Sequence, residues 1–253
     1  GNSYLVAGES ETSPSGEVVL PNKYNGKPVS GFVTGTSDSP TFKKNTTITS
    51  VILSNTITAI ADYVFSDTFM FPKSNITNVT IPNSVTYIGN SAFRQCIKLT
   101  DALVIPNSVT YIGNSAFYSC SKLTSITISS NVTSIGSYAF DSCSGLTGAL
   151  IIPNSVTSIG SYAFYKCSGL TSIEIPNSVT SIGDRAFSIC SGLINIVVAN
   201  ENTKYDSRNN CNALIETATN TLLAGSINTI IDKTITSIGN DAFRNCSGLI
   251  SVE

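Results

Sequence analysis

Residues 152–193 read "IPNSVTSIGSYAFYKCSGLTSIEIPNSVTSIGDRAFSICSGL" and give nearly the same phrase twice. The phrase recurs along most of the chain. The cysteines at one position in it are separated by 24, 23, 24 and 23 residues: Cys96, Cys120, Cys143, Cys167 and Cys190. A phenylalanine precedes each of them by three residues. Because a fixed period of this length gives each copy the same supersecondary unit, the chain is predicted to form a solenoid.

Two further copies extend the array. A clear one near the end contains Phe243 and Cys246, and a divergent one near the start contains Ile60 and Phe65. Each copy alone is too short to bury its own leucine, isoleucine and phenylalanine side chains. Stacked copies bury them against identical neighbours, so the inward residues are expected to form ladders along the stack.

Each copy predicts one coil with two extended pieces. The stretch "LTSIEI", residues 170–175, alternates apolar and polar residues and is rich in β-branched side chains, which favours a short strand. Pro176 cannot donate to a strand ladder and ends it. Val179 and Ile182 predict a second short extended piece, and residues 184–190 are compatible with a short helical turn.

Alternate copies carry one extra residue directly before the strand. The stretches "LTDALVIPN" and "LTGALIIPN" are one residue longer than "LTSIEIPN". We expect the extra residue to widen the turn into the strand and to leave the register of the sheet intact.

The predicted organisation is one continuous structural domain. Residues 1–47 form a divergent first coil that acts as a cap: in "VVLPNKYNGKPVSGF", residues 18–32, Val18–Pro21 resemble the repeat strand and its proline. Residues 48–253 form the repeat array. Within it, residues 199–226 are an insertion with a predicted β-hairpin, formed by the apolar runs 213–215 and 221–224.

The composition argues against nucleic-acid binding, a membrane-spanning helix and catalytic or metal sites. Charged residues make up 12% of the chain and the net charge is −2, so no basic patch is available for nucleic acid. No apolar run approaches the roughly 20 residues of a membrane-spanning helix. The chain has no histidine, which removes the usual general base and the histidine metal sites, so no catalytic residue, cofactor or metal is predicted. The alternative is a calcium site at Glu201, Asp206 and Glu216, although their spacing differs from that of a calcium loop.

The repeat cysteines allow two interpretations. Neighbouring coils are close enough for disulfides, but equivalent side chains in a ladder project in parallel and do not turn toward each other. We therefore expect free, buried thiols that act as small apolar groups.

The phrase "IPNSVTSIGxxAFxxCSGLTSI" resembles the BspA-type leucine-rich repeat family, over roughly residues 15–253. The resemblance implies a leucine-rich repeat solenoid: a curved right-handed α/β-type superhelix with one short strand per coil, a second short extended segment and short helical turns. It also implies an extracellular or cell-surface location, with any signal or anchor segment outside a sequence that begins at Gly1. Some members of the family bind host matrix proteins, plasma proteins or other cells.

Three functions remain open at this point. The first is a non-enzymatic surface protein that mediates protein binding or cell adhesion through the sheet face. The second is a spacer or stalk that presents another domain. The third is a glycan hydrolase that uses paired carboxylates.

The partner-binding residues can be predicted from the alternation of each strand, since successive side chains point to opposite faces. Leu170, Ile173 and Ile175 then point inward, whereas Ser172 and Glu174 point outward. Applied to every copy, this alternation gives an outward row of candidate binding residues: Ile52, Thr80, Val104, Thr127, Ile151, Glu174 and Val197. Their β-branched character also suits any strand, so the pattern alone does not separate binding from strand propensity.

Overall fold

The computed structural model describes residues 4–6, 16–25, 27–32, 48–66, 74–100 and 102–246, which form a stack of similar coils. Four strands precede the repeats: β1 (Tyr4–Val6), β2 (Gly16–Val19), β3 (Lys23–Tyr24) and β4 (Lys27–Phe32). The repeats contain β5 (Ile48–Ile52), β6 (Ala59–Ile60), β7 (Asn78–Thr80), β8 (Tyr87–Ile88), β9 (Ala102–Val104), β10 (Tyr111–Ile112), β11 (Ser125–Thr127), β12 (Ser134–Ile135), β13 (Gly148–Ile151), β14 (Ser158–Ile159), β15 (Leu170–Ile175), β16 (Ser181–Ile182) and β17 (Asn195–Val198). They are followed by β18 (Tyr205–Asp206), a 3-10 helix (Arg208–Asn210), β19 (Ala213–Glu216), β20 (Thr221–Gly225) and β21 (Ser237–Ile238).

Each repeat contributes to two parallel ladders. The longer strands lie on one side, which we call the face, in the groups β2-β5-β7, β9-β11 and β13-β15-β17. The two-residue strands form a six-stranded sheet on a second side, the flank, in the order β6-β8-β10-β12-β14-β16. We number coils 1 to 8 by their face strands, β2, β5, β7, β9, β11, β13, β15 and β17. The prediction of a solenoid with one strand and one short extended segment per coil is confirmed.

A column of phenylalanine rings fills the centre of the stack. From Phe65 to Phe187, neighbouring rings lie parallel, with centroids 5.1 to 5.6 Å apart. Phe32 meets Phe65 edge to face at 5.5 Å and begins the column in coil 1. Phe93, Phe117, Phe140 and Phe164 have no solvent-accessible surface. The ring column therefore runs continuously through coils 1 to 7.

The Ala-Phe segments are turns, and the predicted short helical turns are wrong. Two non-glycine residues in each segment have a positive φ, for example Ser115 at 54° and Ser119 at 57°. The amides of Ser115, Phe117 and Ser119 donate to carbonyls of the next coil, at distances of 2.7 to 2.8 Å. An α-helix would use those amides within the segment, so bonding between coils replaces helix formation here.

The repeat cysteines make a contact that their size alone does not explain. The Sγ of Cys143 donates to the carbonyl of Phe117 at 3.1 Å, and the Sγ of Cys167 donates to that of Phe140 at 3.1 Å. All seven cysteines are free thiols. Each ladder thiol is therefore both a small apolar group and a weak donor to the preceding coil.

The extra residue of coil 6 coincides with an irregularity in the strand register, which resumes within the same strand. Gly148, at the entry of coil 6, has φ +77°, a conformation that side-chain-bearing residues rarely adopt. The ladder shows an irregularity there, between Gly148 and Ala149, and Ile151 still pairs with Glu174. No strand pairing joins β7 to β9 or β11 to β13 within the described residues. The pairing of the face strands is therefore interrupted ahead of coils 4 and 6.

The insertion contacts the end of the flank sheet and pairs with the last repeat. β19 and β20 form an antiparallel hairpin, and β20 pairs in parallel with β21 of the last repeat. The hydroxyl of Tyr205 accepts a hydrogen bond from the amide of Ile182 at 2.8 Å, at the end of the flank sheet. The predicted domain boundary at residue 47 stays a prediction, since residues 33–47 lie outside the described part.

Replacing Phe164 with alanine should lower the free energy of unfolding by about 3–5 kcal/mol, because it leaves a cavity in the middle of the ring column. Chemical denaturation measures this change. Val104→Ala is the matched control on the exposed face and should change stability by less than about 0.5 kcal/mol. Equal effects of the two substitutions would contradict a buried column.

Alkylation should distinguish the ladder thiols from Cys246. Burial raises the pKa of Cys190 to about 12, and burial also raises the pKa of Cys120 and Cys167. Because the thiolate is the reactive form, half-buried Cys246 should react first with iodoacetamide at pH 8 in the folded protein. All seven thiols should react after unfolding, as counted by mass spectrometry. Rapid labelling of Cys167 in the folded protein would show instead that the coils open easily.

Candidate binding face

Two rows of side chains point outward from the face. Register pairing aligns Ser50 with Asn78 and Ile52 with Thr80, and it aligns Thr127 with Val104. The outer row runs from coil 1 to coil 8: Val19, Ile52, Thr80, Val104, Thr127, Ile151, Glu174 and Val197. The second row lies beside it: Glu17, Ser50, Asn78, Ala102, Ser125, Ala149, Ser172 and Asn195. The candidate residues predicted from sequence therefore lie side by side, one in each of coils 2 to 8.

The outer row is exposed except in coil 2. Side chains of Val104 and Ile151 are 59% and 63% exposed, and Val197 is 43% exposed. Ile52 is half-buried. Residues between them in sequence, such as Leu103 and Leu150, point inward and are buried. In coils 4 and 6, an exposed branched residue thus directly follows a core residue in the sequence.

Val19 belongs to the same row and was not among the predicted binding residues. It pairs in register with Ile52 and is 58% exposed. The sequence contains the pattern that would have identified Val19, since Val18–Pro21 resemble the repeat strand and its proline. Extending the same alternation by one coil would have placed Val19 outward.

The face is almost uncharged. Glu17 and Glu174 are the only charged residues of the two rows, and neither row contains a lysine or arginine. A partner would therefore be held by shape, apolar contact and hydrogen bonds, with little dependence on salt. Any favourable charge on the partner would be positive.

A shallow trough of about 480 Å³ crosses the face at coils 3 to 5. The residues that line it include Thr80, Val104 and Thr127 of the outer row and the exposed Asn83 and Asn107. The trough lies where no pairing joins β7 to β9.

The insertion is a second candidate surface, held together by Arg208. Its guanidinium contacts Asp206 at 2.7 Å, Asn220 at 2.9 Å and Thr234 at 3.0 Å, so it links the hairpin to the last repeat. Burial would raise the pKa of Asp206, but the hydrogen bonds from Arg208 outweigh it and lower that pKa. Asp206 is therefore ionised and paired with Arg208. Glu216 accepts a hydrogen bond from Thr219.

The calcium alternative receives no support from this geometry. No group of three or more histidine, cysteine, aspartate or glutamate residues is placed to hold a metal within the described ranges.

A cavity of about 210 Å³ lies between coil 7 and the hairpin, where Arg185 meets Asp241 at 2.8 Å. That volume is below the usual 300–1,000 Å³ of a small-molecule site. In the part of the chain that is described, no helix is long and apolar enough to cross a membrane.

Comparison with known sequences gives one family. A sequence model described as a BspA type leucine rich repeat region matches residues 67–151, 148–229 and 220–253. These segments together cover more than half of the chain. A comparison with curated proteins gives no significant match.

Solved structures of leucine-rich repeat proteins share the fold. A leucine rich cell surface protein from Faecalibacterium prausnitzii A2-165 is 25% identical, with a TM-score of 0.64 over 93% of this chain and 62% of its own. A leucine-rich repeat protein from Eubacterium ventriosum is 23% identical, with a TM-score of 0.58 over 92% of this chain and 51% of its own. The T. pallidum leucine rich repeat protein is 26% identical, with a TM-score of 0.60 over 70% of this chain and 77% of its own. The chain thus spans about three fifths and about half of the first two.

Replacing Arg208 with glutamine should loosen the hairpin, because it removes the charged donor that joins three segments. The expected loss is about 2 kcal/mol, within the range for hydrogen bonds to charged groups. Hydrogen exchange of residues 213–225 reports it, and Arg244→Gln, at a largely exposed ion pair, is the control. Since the pKa of Asp206 is lowered in the folded state, this stabilisation is present above about pH 4 and is lost as the pH falls further. Unchanged exchange in the variant would contradict the role of Arg208.

Proposed function

The chain belongs to the BspA-type leucine-rich repeat family, and from that membership we propose that it is a non-enzymatic surface protein that adheres to a host protein or to another cell through its face. The observation that carries the proposal is the outer row of exposed aliphatic residues. Val104, Ile151 and Val197 are exposed on alternate coils of the face, and exposed apolar residues gathered on one surface commonly mark interaction sites.

Catalysis is not part of the proposal. The chain has no histidine. Glycan hydrolysis needs two carboxyl groups about 5–9.5 Å apart. The two carboxylates of the face, Glu17 and Glu174, belong to coils 1 and 7, and six strand spacings of about 4.8 Å separate them by roughly 29 Å. Their separation supports binding over hydrolysis.

The proposed location is extracellular or on the cell surface. Its support is the family and the description of the F. prausnitzii structure as a cell surface protein. The proposed partners are a host matrix or plasma protein, or a component of another cell surface. Nucleic acid is not proposed, because the face has no basic residue.

The double substitution Val104→Lys with Ile151→Lys should abolish binding to the matrix protein, plasma protein or cell that the unmodified chain binds. Two lysines place charge in the middle of the apolar row, and both positions are exposed, so the melting temperature should stay the same. Binding to immobilised fibronectin, fibrinogen, collagen and whole cells, measured by surface plasmon resonance and cell attachment, tests this.

Ile230→Lys is the matched control, since Ile230 is 61% exposed but lies outside the two rows. It should leave binding intact. Undiminished binding by the double variant would move the site to the insertion around residues 205–216 or to the edges of the coils. Absence of any binding by the unmodified chain would favour the spacer or stalk.

A further inference from the structure

The described residues form two separate apolar cores. The first core surrounds the ring column and extends through coil 8. The second core is small and lies between the hairpin β19–β20 and the last repeat, residues 226–246. Its members are Cys211, Ala213, Ile215, Leu222 and Ala242, with Ile231, Ile235 and Phe243 packed against them. Within the described ranges, no residue of the last repeat belongs to the first core.

The hairpin forms the wall between the two cores. In β19, Ala213 and Ile215 belong to the second core, whereas Leu214 between them belongs to the first, because successive side chains of a strand point to opposite faces. In β20, Leu222 belongs to the second core and Ala224 to the first. All five side chains are at most 2% exposed. The hairpin therefore covers the end of the first core and contributes most of the second.

The ring column ends at this wall. Phe187 stacks on Phe164, and among the described residues no ring stacks on its other side. The next phenylalanine at the same repeat position, Phe243, packs against the hairpin in the second core. Gly225 leaves room for that ring, since a Cβ at this position would overlap it. The aromatic stacking that joins coils 2 to 7 therefore does not reach the last repeat.

Backbone bonding between the Ala-Phe turns also ends at coil 7. In coil 6, the amide of Phe164 donates to the carbonyl of Ala186 at 2.8 Å, and the amides two residues to either side donate to the same turn. The equivalent amides of coil 7 belong to Arg185, Phe187 and Ile189. Within the described part of the chain, none of these three donates to a carbonyl. The bonds that tie each turn to the next are thus missing beyond coil 7.

The last repeat has few direct links to the coils. Hydrogen bonds from Ser226 and Ile227 join its beginning to residues 193–194 of coil 8, at 3.0 Å each. The ion pair between Arg185 and Asp241, at 2.8 Å, joins its turn to that of coil 7, and both side chains are more than 20% exposed. Ion pairs that water can reach contribute little to stability. The last repeat is therefore held mainly by its contacts with the hairpin.

We propose that the last repeat opens as a unit of its own, while the coils and the hairpin stay folded. The hairpin then acts as an internal cap, since it covers the end of the ring column whether or not the last repeat is in place. The stability of a stacked array is approximately a sum over its units and the contacts between neighbours. A unit with a small core and few contacts opens most easily. Its opening exposes the second core and leaves the face of coils 1 to 8 unchanged.

The native cysteines report on the two cores separately. Cys211 belongs to the second core and Cys167 to the ring column, and they are 2% and 0% exposed. Burial raises the pKa of both thiols, so both are protected in the closed structure. Pulsed labelling of the full chain with N-ethylmaleimide in increasing urea, followed by mass spectrometry, measures the opening of each core. Cys211 should label together with Cys246, at least about tenfold faster than Cys167, the equivalent of an opening free energy lower by about 1.4 kcal/mol.

Two phenylalanines at the same repeat position give a matched pair of variants. Phe243→Ala should speed the labelling of Cys211 and leave that of Cys167 unchanged, because it removes a side chain from the second core alone. Phe187→Ala should speed the labelling of Cys167, because it shortens the ring column.

Hydrogen exchange gives a measurement that needs neither the thiols nor a folded Phe187→Ala variant. The amide of Gly239 donates to Leu222 at 2.8 Å, and the amide of Phe140 donates to Ala163 at 2.7 Å. In the unmodified chain, Gly239 should exchange at least about tenfold faster than Phe140. Phe243→Ala should widen this difference.

Equal labelling of Cys211 and Cys167 across the urea series would show a single cooperative unit and would overturn the proposal. The same holds if Phe243→Ala speeds both thiols by the same factor. Fast exchange throughout residues 213–225 together with the last repeat would also overturn it, since the hairpin would then open as well and could not act as a cap.

Discussion

Backbone hydrogen bonds between neighbouring coils are the constraint on which the rest of the structure depends. The amide of each repeat threonine donates to the equivalent carbonyl of the coil before it, as Thr133 does to Thr110 and Thr157 does to Thr133, both at 2.9 Å. Such bonds require equivalent atoms to lie about one strand spacing apart at every level. An inward side chain then has its own equivalent above and below it, and a larger or smaller residue disturbs two neighbours at once.

This constraint accounts for residue choices that look unrelated in the sequence. A Cβ on Gly160 would lie 2.4 Å from the amide nitrogen of Ser137, so the turn needs glycine for close stacking. The side chain of Asn90 accepts from the amide of Asn114 at 2.9 Å, and Asn114 accepts from Ser137 at 2.8 Å. The cysteine position needs a small side chain that can also donate to the preceding coil. Each ladder thus satisfies volume and hydrogen bonding together.

Periodicity was sufficient to predict the solenoid, the inward and outward register and the column around Phe164, because these depend on equivalence between copies. It was insufficient where the backbone departs from standard conformations. Segments such as residues 184–190 have the composition of a helical turn, but residues such as Arg185 and Ile189 adopt positive φ and direct amides to the next coil. Pairing is interrupted ahead of coils 4 and 6, and Gly148 at the start of coil 6 has φ +77°, a backbone conformation that the repeat pattern does not record. The role of Arg208 depends on contacts that join residues 12 and 26 positions away, which no local pattern records.

Outward positions are free of the stacking constraint, and this makes their pattern informative. Inside the stack, Leu103, Leu150 and Ile173 are similar because neighbours must match. Thr127 and Ile151 lie on adjacent coils of the same row and need not differ for the stack to form, since both are β-branched and suit a strand equally. The strand propensity that explains branched residues on the face therefore does not explain why aliphatic and polar ones alternate. The alternation of aliphatic and polar residues follows the coil number from coil 2 to coil 8, and the stacking of the coils does not require it.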